Sequence, residues 1–96
     1  MRAAKIDGNH AEIVAALKDV GASVQSLASI GKGCPDLLVG FQGGNFLMEI
    51  KDGELSRSRQ ALTGLQIIWH RGWCGRVYVV ENVAQALKIL GIYDKS

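Results

Sequence analysis

The sequence predicts an α/β fold, a mixed β-sheet flanked by helices in the order α-β-β-β-α-β-α, and three observations carry that prediction. Apolar residues recur at helical spacing in three stretches, and short β-rich runs bounded by turn residues lie between them. The two central runs, Leu37 to Phe41 and Phe46 to Ile50, are joined by Gln42-Gly43-Gly44-Asn45, a tight-hairpin signal because glycine tolerates positive φ. The 96 residues suit one small domain, 1–96, and 48% hydrophobic with 21% charged residues is a globular composition. A net charge of +2 and a pI near 8.7 permit a polyanionic partner without requiring one. Cys34 and Cys74 are too few for a metal cluster or disulfide framework and read as reduced thiols. With no signal-peptide pattern and no apolar run of membrane-spanning length, the chain is expected to be cytoplasmic, with no membrane partner.

In chain order, residues 1–8 read as a short polar arm. Asn9-His10-Ala11-Glu12 resembles a capping box and opens a helix over 10–20, whose Ile13, Ala16, Leu17 and Val20 form an apolar stripe that Gly21 ends. A first strand follows within 22–28, then the glycine-rich loop 29–33 containing Lys32.

In the hairpin, a Gly43-Gly44 loop would pair Gln42 with Asn45, Phe41 with Phe46 and, by continuation, Asp36 with Lys51. Asp36, Leu38, Glu49 and Lys51 would then share one face, and Leu37, Val39, Phe41, Phe46, Met48 and Ile50 the core face. Asp36 and Glu49 would be diagonal neighbours at roughly 7–8 Å, close enough to converge on one cation. The plain alternative is a cross-strand Asp36–Lys51 ion pair with Glu49 solvated, worth about 0–1 kcal/mol when exposed. On either reading the charged face holds no core volume.

Past the hairpin, 52–59 is a polar loop carrying Arg57 and Arg59. Thr63-Gly64-Leu65-Gln66 reads as a second capping box, opening a helix with Leu65, Ile68, Trp69 and Gly72 on one face. His70 lies one turn beyond Gln66 and is assigned no role. Residues 75–80 form a further strand, Asn82 caps a last helix, and 92–96 is a tail.

The order Pro35-Asp36, hairpin, Glu49-Ile50-Lys51 resembles the PD-(D/E)xK nuclease superfamily. The fuller string Gly33-Cys34-Pro35-Asp36-Leu37-Leu38-Val39, with Glu12 upstream and Gln66 in Thr63-x-x-Gln66-x-x-Trp69 downstream, is similar to its virus-type replication-repair nuclease (VRR-NUC) branch, over roughly residues 9–90. The resemblance implies a restriction-endonuclease-like sheet and a stand-alone Mg²⁺- or Mn²⁺-dependent endodeoxyribonuclease. Its metal ligands would be Asp36, Glu49, the Ile50 carbonyl and Glu12, with Lys51 and Gln66 as further catalytic residues. Glu12 and Gln66 can equally be helix caps. A hard divalent cation suits carboxylate oxygens and phosphodiester hydrolysis, and Lys51 would orient the attacking water or stabilise charge on the phosphate.

Lys32, Arg57, Arg59 and Arg76 are candidate phosphate contacts, each with a solvated surface cation as its alternative. The partner expected is branched DNA, foremost a four-way (Holliday) junction, cut by a homodimer formed through excess apolar surface that includes Ile67 and Trp73. A flap nuclease, a catalytically silent nucleic-acid-binding module and an interaction protein are the alternatives.

Overall fold

The computed structural model describes residues 8–52 and 62–92. Among the described residues seven elements follow in the expected order: α1 (His10–Asp19), β1 (Ser23–Ser26), β2 (Leu37–Phe41), β3 (Gly44–Ile50), α2 (Gly64–Gly72), β4 (Val77–Val80) and α3 (Val83–Ile89). The strands form one sheet in the order β1-β2-β3-β4, antiparallel except for the parallel pair β3–β4. Among the described residues no helix is long and apolar enough to cross a membrane.

One face of the sheet presents Leu37, Val39, Met48, Ile50 and Val80, which bury against Ile13 and Leu17 of α1 and Ala86 of α3. This is the core face that strand alternation predicts. Gly21, at φ +94, turns the chain out of α1. Asn82 caps α3 by accepting from the Gln85 N–H at 2.8 Å. Cys34 and Cys74 are both free thiols.

The hairpin register differs from expectation by two residues. The turn is Gln42-Gly43, both at positive φ (49° and 85°), and Phe41 pairs with Gly44, Val39 with Phe46 and Leu37 with Met48. Positive φ at both central positions is the type I′ geometry, whose twist matches the strands. Gly44 is a strand residue paired with Phe41, and the Phe46 ring lies over it, 3.2 Å from where a Cβ would stand. A two-residue shift leaves every side chain on its predicted face, since the strand period is two. It changes the partners: one step past Leu37 and Met48, Asp36 falls opposite Glu49 rather than Lys51.

Asn9 does not cap α1. Its backbone sits at φ −90°, ψ 2°, outside the extended geometry of a capping residue, and its side chain accepts nothing from the helix. Asn9 is buried, and its amide donates to Lys51 O (3.2 Å) and Glu81 O (2.7 Å), tying the start of α1 to the ends of β3 and β4. Satisfying buried strand-end carbonyls has won over capping.

The face assigned to α2 is also corrected. Leu65 and Ile68 are exposed (60% and 69%), while Gln66, Trp69 and His70 turn toward the sheet and are partly buried. The helix lies over the face bearing Leu38, Leu47 and Glu49, with Gln66 hydrogen-bonded to the buried Glu49 carboxylate and Trp69 beside the two leucines.

Candidate active site

The site is built where β2 begins and β3 ends. Gly33, at φ +85°, lets the loop before Asp36 pass against the first turn of α2: a Cβ there would stand 2.3 Å from Leu65 O. Pro35 is fully buried, and Leu27 N–H donates to Asp36 O at 2.8 Å, fixing the backbone. The Asp36 carboxylate then continues the β2–β3 ladder, Oδ2 accepting from Ile50 N–H at 2.7 Å.

Glu49 is 1% exposed and Lys51 8%. The charged face is therefore a covered layer and not a solvated one, which corrects the expectation that these residues occupy no core volume. Burying a carboxylate costs several kcal/mol unless polar groups meet it. Gln66 Nε2 donates to Glu49 Oε2 at 2.9 Å. The same Gln66 closes the capping box of α2: its Oε1 accepts from Thr63 N–H at 2.9 Å while Thr63 Oγ1 accepts from Gln66 N–H at 3.3 Å. Capping and contact with the acid, read from sequence as alternatives, are made by the two ends of one amide.

His70 was given no role from sequence, although its i+4 spacing from Gln66 was the available signal. Its Nε2 lies 3.8 Å from Glu49 Oε1, too long for a hydrogen bond, and is buried without a hydrogen-bond partner among the described residues. Burial, and then the Lys51 charge, lower the His70 pKa, favouring the neutral imidazole. Burial raises the pKa of the Cys34 thiol, helped by the negative fields of Glu49 and then Asp36.

The remaining candidates are more scattered. Glu12 is exposed in the first turn of α1 and makes no hydrogen bond or ion pair with Asp36, Glu49 or Lys51 among the described residues. The Asn9–Lys51 hydrogen bond nevertheless brings that turn to the end of β3. Lys32 (φ 55°) and Arg76 are exposed, and Arg57 and Arg59 lie outside the described residues.

No three His, Cys, Asp or Glu side chains gather into a metal cage among the described residues. Two carboxylates opposite one another still fit Mg²⁺, which binds through one or two carboxylates and retains waters, better than zinc, which favours nitrogen and sulfur ligands.

No family model and no curated protein matches the chain. A solved structure described as a VRR_NUC domain superposes on it with a TM-score of 0.61 at 25% identity, over 90% of this chain and 98% of that one. The four-stranded mixed sheet and its flanking helices thus give this chain the VRR-NUC fold, that of a nuclease-like domain.

Proposed function

We propose that the protein is a Mg²⁺- or Mn²⁺-dependent endodeoxyribonuclease acting on branched DNA, foremost a four-way junction. The observation that carries this reading is the buried Glu49, held by Gln66 and facing an Asp36 whose carboxylate is locked to Ile50 N–H. Asp36 and Glu49, with the Ile50 carbonyl, would hold the metal, and Glu12 would join as a third acid from the neighbouring turn of α1. A bound divalent cation supplies charge neutralisation and an acidified water. Lys51, beside this pair, stabilises negative charge on the phosphate, and Gln66 keeps the Glu49 carboxylate oriented. Lys32 and Arg76, with Arg57 and Arg59, are the proposed contacts to the DNA backbone.

The branched substrate follows from a proposed two-fold dimer. Leu65, Ile67 and Ile68 are all exposed on α2, an apolar surface that a second copy would cover. Two symmetric clefts suit paired incisions on opposed strands.

The test is incubation of labelled four-way junction, flap, single-stranded and linear duplex DNA with Mg²⁺ or Mn²⁺, alongside light scattering at micromolar concentration. Junction cleavage by a dimer is expected. Absence of cleavage of every substrate with either metal refutes the enzyme, and a monomer that cuts flaps better than junctions refutes the paired mechanism.

A further inference from the structure

A cleft of about 540 Å³ opens beside the carboxylates, on the same face of the sheet. Its lining includes Leu38 and Leu47, directly paired across β2 and β3 and two residues from Asp36 and Glu49 respectively, or about 7 Å along each strand. Trp69 and Trp73 of the α2 end also line it, their rings stacked at 4.7 Å and 17°. Exposed Asn45 and Arg76 complete the polar part of the lining.

We propose that this cleft receives a nucleobase of the substrate strand unstacked at the branch point, next to the nucleotide whose phosphate lies at Asp36 and Glu49. The proposal rests on the nuclease reading above and adds a site to it. Every base presents a π-face, and aromatic side chains with a nearby arginine are the usual platform for one. Trp73 keeps 47% of its surface exposed although stacked on Trp69, so aromatic area remains for a ligand. Arg76 supplies a positive charge for the phosphate of the same nucleotide, and the Asn45 amide offers both a donor and an acceptor to a base edge. An aliphatic peptide would use neither the charge nor the stacked rings. Stacking is interrupted at the branch point of a junction or flap, so a base there is extruded at lower cost than one inside regular duplex, and the cleft provides structure selectivity without a base-reading helix.

The probes are two single-stranded 12-mers of equal charge, one of thymidines and one of abasic residues, titrated in EDTA against the full chain while tryptophan emission is followed. The thymidine strand is expected to bind about ten-fold tighter and to quench emission, and Trp73→Ala is expected to erase that preference. An abasic residue walked along the strand of a cleaved substrate should raise KM at one position near the cut. This second measurement needs no protein variant. Equal affinity for both 12-mers, together with metal-dependent cleavage insensitive to abasic substitution, overturns the base site and leaves the nuclease reading standing. Failure to bind or cut any DNA overturns both. If Trp73→Ala instead dissociates a dimer and leaves the thymidine preference intact, a second copy of the chain occupies the cleft and the proposal fails.

Discussion

Replacing Gly33 by alanine tests the contact that seats α2 over the acids. The added Cβ would stand 2.3 Å from Leu65 O and 2.9 Å from Gln66 N, where ordinary contact begins at 3.4 Å, so the first turn of α2 must recede by about 1 Å. Alanine at φ +85° adds conformational strain of about 1–2 kcal/mol, and overpacking typically costs about 1–3 kcal/mol. A combined loss of about 2–5 kcal/mol corresponds, for a domain of this size, to a fall in Tm of about 8–40 °C. Gly31→Ala is the control: Gly31 also has positive φ (68°), but nothing lies within 4 Å of its would-be Cβ, so only the strain is incurred. Thermal unfolding followed by circular dichroism reads the difference, and tryptophan emission reports the displacement because Trp69 and Trp73 sit at α2. A Gly33→Ala protein that melts with Gly31→Ala and shows unchanged emission would refute the close approach. A shift of 1 Å would also lengthen the 2.9 Å Gln66–Glu49 hydrogen bond, so metal binding by calorimetry should weaken with it.

Asp36→Asn retains an oxygen for Ile50 N–H and should melt near the parent while losing metal binding, whereas Asp36→Ala abandons that N–H at an expected cost of about 1–3 kcal/mol; equal stability of the two would discount the ladder role of the carboxylate. Glu12→Gln should weaken Mn²⁺ binding without lowering Tm, and unaltered affinity would exclude Glu12 from the metal. Exposed Cys74 should react with iodoacetamide at pH 8 faster than Cys34, whose raised pKa leaves less thiolate, and the Glu49→Gln protein should label faster at Cys34; insensitivity there would mean the carboxylate field does not reach the thiol. DNA affinity should fall steeply between 50 and 200 mM salt, measured by anisotropy, and a flat dependence would argue against phosphate contacts.

The faces of the hairpin were legible in the sequence because side-chain alternation survives a two-residue shift, while the pairing itself was not. Gln42 at positive φ is uncommon, and Gly43-Gly44 offered a second two-residue loop in the same stretch, so the turn could not be placed from the glycines alone. The capping box at Thr63 was readable since all its partners lie within four residues. Asn9 looked equally like a cap and was not one, because its partners are the strand ends at Lys51 and Glu81. The orientation of α2 failed for a related reason. Its apolar stripe suggested a buried side, but Gln66 turns in to a polar side chain on the preceding strand, Glu49, and leaves Leu65 and Ile68 exposed. The proximity of Asp36 and Glu49 followed from strand geometry, and the place of His70 beside Glu49 required knowing that α2 crosses that face.

The two hydrogen bonds of the Asn9 amide span sequence separations of 42 and 72 residues, and Lys51 N–H donates in turn to Val80 O at 2.9 Å. The backbone at Lys51 is thus fastened to segments from both halves of the chain, and Glu81 is made long after Asp36 and Glu49. On a ribosome the acidic hairpin can form early, since its contacts are local, whereas the long-range closure around Lys51 waits for β4. A chain still emerging therefore carries both acids without the fastened lysine, and the proposed site is complete only once synthesis has passed β4.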